Sequence, residues 1–210
     1  MLSTEPYMDL LMSGKLILAS SSEVRKALLE KSNISFTSIK ANIDEDAVKS
    51  SLLSENYSPR DIADALAELK ASKISLKNQN SLVLGCDQIL EFEGSILEKP
   101  PSKSSAIQQL LKISGKKHCA YSAAVIFESS QPIWRFVGKA DLFLKNNSEE
   151  YISDYVNRNW ESIKNSVGGY KIEEEGCRLF SKINGDYFSV LGMPLLEIIN
   201  FLCARGVING

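Results

Sequence analysis

Residues Leu16–Leu29, LILASSSEVRKALL, constrain the fold more tightly than any other stretch. An apolar run of strand length meets three serines and an arginine and passes at once into a helical pattern. A strand and a helix joined by so short a turn must pack as adjacent layers. The same alternation recurs down the chain, which makes the class α/β. Strands are predicted at Lys15–Ser20, Ile34–Ile39, Leu82–Cys86, Ala120–Phe127, Ile133–Leu144 and Tyr187–Leu191, and a hairpin joins Ile89–Phe92 to Ser95–Leu97 through Gly94. Helices are predicted from a Ser22 cap to Leu29, from Ser58-Pro59 to about Ile74, at Ser102–Ile113 ended by Gly115, at Ser148–Asn159 and at Pro194–Ala204. A packed core has no need of the three serines. A phosphate site has, because helix N–H groups and hydroxyls bind anion oxygens.

Composition sets the outer bounds. A 210-residue chain with 44% hydrophobic residues can build one sizeable core. One domain over residues 15–210 is expected, after a flexible leader over 1–14. The formal charge of −2 and pI of about 5.6 argue against a nucleic-acid partner, which needs a broad basic surface. Four cysteines without a C-x-x-C, and a single histidine, argue against a zinc cluster. The acidic start without a long apolar run reads as neither a secretion signal nor a membrane span. The expectation is a cytoplasmic protein with no membrane partner.

Several charged residues invite a chemical reading. Asp87 follows LVLGC directly, at the end of a buried strand, where open α/β sheets bind ligands. A turn or cap aspartate explains the position equally well. Asp44-Glu45-Asp46 reads by itself as a solvated loop. On a helical wheel of about 100° per residue, Lys70 falls within the apolar arc of Ile62, Leu66 and Leu69. Lys73 falls there too, and snorkelling accounts for both. Lys99 is held by Pro100 behind the hairpin. His118 reads as structural, since no nucleophile motif accompanies it. Taken together, hydroxyls, an arginine, two acidic positions and two lysines form the inventory of a metal-bound polyphosphate site.

These residues, in this order, resemble the Maf family, nucleoside triphosphate pyrophosphatases once described as septum-formation inhibitors. The likeness spans Leu16 to Ile208 and rests on LILASSSEVR, NIDED, LAELKA, GCDQ, LEKP, LKISGKKH, the GGY ending at Tyr170, and INGDYFSVLGMPL. It implies a Maf-like, inosine-triphosphatase-like fold: an elongated mixed sheet flanked by helices, with a cleft between two lobes, often dimeric. It implies hydrolysis of a standard or modified nucleoside triphosphate to the monophosphate and pyrophosphate, by metal-assisted attack of water on the α-phosphorus. Ser20, Ser22, Arg25, Lys70 and Lys99 would hold the phosphates. Asp87 would be the general base, and Glu45 with Asp87 would hold Mg²⁺ or Mn²⁺. The family's older description also suggests a second reading, a nucleotide-binding regulator of division that needs no hydrolysis.

The departures from the family pattern concern specificity. Glu23 and Val24 stand where proline and arginine or another residue are usual, and Glu23 adds negative charge beside the phosphates. Ser166 replaces a common lysine, Gln88 a threonine and Glu173 a glutamine. Val24, Gln88 and Glu173 occupy the positions that vary with substrate. The last two resemble the branch acting on 7-methylguanosine triphosphate more than the one acting on dTTP and UTP. A carboxylate only accepts hydrogen bonds, and guanine offers two donors on one edge. A guanine-type preference follows.

Overall fold

The computed structural model describes residues 15–209, so the leader expected over 1–14 lies outside the described residues. Seven strands form one mixed sheet in the order β2-β1-β3-β5-β6-β7, with β4 added to β3. The strands are β1 (Lys15–Leu18), β2 (Phe36–Ser38), β3 (Ser81–Phe92), β4 (Ser95–Leu97), β5 (Lys117–Glu128), β6 (Gln131–Leu144) and β7 (Phe180–Asn184). β1 runs parallel to β2 and β3, and the other pairings are antiparallel. The helices are α1 (Glu23–Lys31), α2 (Glu45–Ser54), α3 (Pro59–Ser75), α4 (Lys103–Ile113), α5 (Glu149–Ile163), α6 (Tyr187–Val190) and α7 (Leu195–Ala204). None of them is long and apolar enough to cross a membrane.

Three apolar clusters fill the layers. On one face of the β1–β3–β5 region, Leu16, Leu18, Leu82, Leu84 and Ile126 meet Leu29 of α1 and Leu195, Ile198 and Leu202 of α7. On the other face Ile17, Val83, Ile89 and Val125 meet Ile62, Leu66 and a row of alanines on α3. A third cluster joins the far ends of β3, β5 and β6 to α4 and α5. The predicted helix starts hold: Ser22, Ser58, Ser102 and Ser148 each accept a hydrogen bond from the backbone N–H three residues on, the stabilising geometry of an N-cap.

Four expectations change. Leu82–Cys86 and Ile89–Phe92 are halves of one strand, β3, so Asp87 lies inside a strand rather than at its end. The antiparallel partner β5 runs unbroken past the polar pair Asp87-Gln88, pairing Val83 through Glu91, and carries the strand across. Tyr187–Leu191 is not a strand: Asp186 accepts from the Ser189 N–H at 2.7 Å and caps the short helix α6. The strand here is Phe180–Asn184, seven residues earlier than expected. Leu69 is 42% exposed, and the buried face of α3 runs instead through Ala63, Ala67 and Ala71. The acidic run 44–46 opens a helix, with Asp44 capping α2 through the Ala47 N–H.

Those alanines matter for the site. A Cβ placed on Gly85 would lie 2.1 Å from the Ala67 carbonyl oxygen and 2.9 Å from the Ala71 Cβ. Glycine on β3 and alanine on α3 bring the two backbones closer than larger side chains permit. That approach sets the reach of Lys70 toward the next residues of the strand.

Candidate active site

β3 has an interrupted edge. β5 covers one side of it from Val83 to Glu91. The other side pairs with β1 at Ser81–Leu84 and with β4 at Leu90–Phe92. Among the described residues, therefore, Gly85–Ile89 have no strand beside them on that side, and Asp87 sits in the middle of the gap. The sequence places a carboxylate at a strand end, and the end that matters is that of the neighbouring strand β1.

Arg25 lies across the gap. Its Nη1 donates to the Cys86 carbonyl at 2.7 Å, its Nε to the Gly192 carbonyl at 2.9 Å, and the side chain is buried. One guanidinium thus ties the first turn of α1 to β3 and to the turn between α6 and α7. Among the described residues no hydrogen bond engages Nη2. The serine turn is committed in a similar way. Ser20 Oγ accepts from the Ser22 N–H at 3.1 Å, and Ser22 Oγ caps α1 through the Arg25 N–H. Both contacts use acceptor lone pairs, so each hydroxyl proton stays available to donate to an anion.

The charged centre lies on the α3 face. Lys70 Nζ contacts Asp87 Oδ1 at 2.6 Å and Glu45 Oε1 at 3.0 Å. Lys70 and Asp87 are 7% and 4% exposed, so this ion pair belongs to the core. The ambiguity between Lys70 and Lys73 is resolved: Lys73 donates to the Asn42 carbonyl on the surface. The two carboxyls shift in opposite directions. Burial pushes Asp87 above the usual range, with Lys70 and Arg25 opposing it. Burial also pushes Glu45 upward, but Lys70, Lys99 and Arg25 outweigh it and hold Glu45 below its ordinary value. Neighbouring carboxyls driven apart in this way are suited to different tasks, one staying ionised and the other exchanging a proton.

Two carboxylates and three cations, Lys70, Arg25 and Lys99, give the centre an excess of positive charge. Among the described residues no cluster of three or more His, Cys, Asp or Glu could hold a metal unaided. A pair of carboxylates still fits a hard divalent ion that draws its other ligands from water and phosphate oxygens.

The remaining candidates are placed as follows. Lys99 is exposed in the turn after β4, and its charge acts on Glu45. Glu23 points to solvent and pairs with Lys26 at 2.9 Å. Val24 packs against the α1–α7 cluster. The Gln88 amide nitrogen donates to Ser122 Oγ and to the Ser189 and Val190 carbonyls, at 3.1, 3.2 and 2.9 Å. Three acceptors around Nε2 fix the amide so that Oε1 is the group it presents, beside Gly192 and Arg25. Glu173 is exposed between two 3₁₀ turns, and among the described residues no hydrogen bond joins it to the centre. His118 is buried on β5 with Nε2 2.7 Å from the Tyr170 hydroxyl, and burial pushes it down to about 4. Sequence reasoning missed Gly85, Ser122 and Gly192. The doublet Gly85-Cys86 was in view as part of a motif, but nothing local revealed the helix backbone pressed against Gly85.

Known proteins resemble this chain along nearly all of its length. The family model described as Maf-like protein matches residues 15–205. The chain is 55% identical over 198 residues to a nucleoside triphosphate pyrophosphatase of Ruegeria pomeroyi, covering 94% of this chain and all of that one. It is 51% identical over 195 residues to the protein of that name from Roseobacter denitrificans, covering 93% and 98%. A 7-methyl-GTP pyrophosphatase of Brucella abortus is 40% identical over 199 residues, covering 95% and 100%.

Proposed function

The chain belongs to the Maf family, and on that premise we propose how it acts as a nucleoside triphosphate pyrophosphatase. The observation that carries the reading is the Lys70 ammonium held between Asp87 and Glu45, beside the capped start of α1. A triphosphate lies along the gap in β3. The Ser20 and Ser22 hydroxyls and Nη2 of Arg25 hold its phosphate oxygens. Lys99 neutralises charge from the loop after β4. Lys70 fixes the Asp87 carboxylate, whose elevated pKa makes it a stronger base than a solvated aspartate. Asp87 takes the proton of the water that attacks the α-phosphorus, and Arg25 and the lysines stabilise the departing pyrophosphate. Glu45, kept ionised, and Asp87 would hold Mg²⁺ or Mn²⁺, which supplies charge neutralisation at the phosphates.

The reading extends to a guanine-type base. Oε1 of Gln88 and the carboxylate of Glu173 are both hydrogen-bond acceptors, matched to the donors on guanine's edge. The name of the Brucella abortus relative supports the same preference. The reading also includes a cytoplasmic enzyme working as a homodimer without a nucleic-acid partner, in keeping with the acidic pI.

The test is product analysis with the purified chain on standard and 7-methylated triphosphates, with and without EDTA. Monophosphate and pyrophosphate should form, EDTA should stop the reaction, and added Mg²⁺ or Mn²⁺ should restore it. Release of orthophosphate and a diphosphate would overturn the proposed bond cleavage. Nucleotide binding without product would favour the regulator reading. Faster turnover of dTTP and UTP than of guanine nucleotides would remove the base preference.

A further inference from the structure

We propose that Lys49 is a positioning residue: its ammonium straps α2 to the loop after β4 and so sets the spacing between Glu45 and Lys99. Lys49 Nζ lies 2.9 Å from Asp46 Oδ1 and 2.7 Å from Glu98 Oε2. Asp46 directly follows Glu45, and Glu98 directly precedes Lys99. The tie therefore joins the two segments that bring opposite charges to the centre, 49 residues apart in the chain.

Each end of the strap differs in what holds it. The Glu98 backbone is anchored, because its carbonyl accepts from Gln109 Nε2 at 3.0 Å and from the Gly168 N–H at 3.3 Å. α2 is not anchored in that sense. None of its residues is buried, and only Val48 and Leu52 lean on the α3-side cluster. Its first turn is tied down by Glu45–Lys70 and by the Lys49 strap. An element with so little buried surface opens locally at small cost. The Lys49 side chain is nonetheless 13% exposed, far less than its partners at 90% and 55%. Burial works against its charge, and the hydrogen bonds it donates to Glu98 and Asp46 more than compensate, raising its pKa.

The proposal rests on the pyrophosphatase reading for its consequence but not for its geometry, and the experiment separates the two. Lys49→Met, Glu98→Gln, the double variant and the charge swap Lys49→Glu with Glu98→Lys are compared in the full chain. Amide hydrogen exchange is followed over Glu45–Ser54, and KM and kcat for pyrophosphate release are measured. Each single variant should speed exchange in α2 severalfold and leave α3 unchanged. Each should raise KM roughly three- to tenfold with kcat nearly constant. The double variant should be no worse than either single one, and the swap, which keeps the tie to the loop but sets a carboxylate beside Asp46, should restore both readouts in part. Unchanged exchange in α2 would overturn the strap whether or not the protein hydrolyses triphosphates. Additive losses, or a KM effect confined to Lys49→Met, would also overturn it, because Lys49 would then act on the substrate directly. A wild-type chain that releases no pyrophosphate would end the functional reading while the exchange data still judge the strap.

Discussion

Two buried polar centres invite comparison: Lys70–Asp87 on the α3 side of the sheet, and His118–Tyr170 in the cluster around α4 and α5. Both are strand residues bonded to a partner from another element. His118 is neutral at physiological pH, and its partner is an uncharged hydroxyl. The His118 Nδ1 is buried without a hydrogen-bond partner among the described residues, but no charge is left over there for an ion to balance. Lys70 instead serves two acids while Arg25 and Lys99 stand close, so the charges balance only when an anion joins them. A buried polar group with balanced charge holds a fold together. One with charge left over is equipped for chemistry.

The comparison can be broken by removing members of each centre. The largest expected effect is Asp87→Asn: turnover should fall about 10²–10⁴-fold as the general base is lost. Its folded pKa is raised, so the carboxylate's ionisation costs stability that is recovered as pH falls. Asp87→Asn removes that cost but leaves the buried Lys70 ammonium to Glu45 alone, so the readout is the pH trend: the native chain should gain stability relative to Asp87→Asn as pH falls through the raised pKa, read from denaturant midpoints. Activity of the native chain should fall with acid through a pKa above the ordinary aspartate value. Near-normal turnover in Asp87→Asn would erase the distinction drawn between the centres.

Lys70→Met should cost about 3–5 kcal/mol, because it strands a buried carboxylate. Adding Asp87→Asn to that variant should recover much of the loss. For His118 the sign is reversed. Its folded pKa of about 4 lies below the 6.5 of an unfolded histidine, so between these values the unfolded chain binds the extra proton. Stability should thus fall by roughly 3 kcal/mol as pH drops from about 6.5 toward 4, and His118→Asn should flatten that slope with turnover at neutral pH unchanged. Gly85→Ala is the smallest of these changes, about 1–3 kcal/mol, as α3 is pushed off β3. It sharpens the contrast if turnover drops further than stability, since the displaced helix carries Lys70 away from Asp87.

Local rules carried much of the fold. The caps at Ser22 and Ser58 were legible because a cap is a contact between residues three apart, and the apolar runs of β1, β3 and β5 were legible because burial on both faces leaves no alternation. α6 was misread because YFSVL suits a strand until Asp186 takes the Ser189 N–H. The extent of β3 was misread because two polar side chains interrupt its apolar pattern, while its ladder depends on a strand 34 residues away.

The same division applies to the site. The sequence by itself determined the class, the family and the set of charged side chains, since residue types and short spacings are properties of a chain with no shape. Only the tertiary structure chose Lys70 over Lys73, opened the gap in β3, turned Arg25 onto two backbone carbonyls, and set Lys49 between Asp46 and Glu98. The physical reason is that charge acts over a few ångströms of space, and folding alone decides which residues come that close.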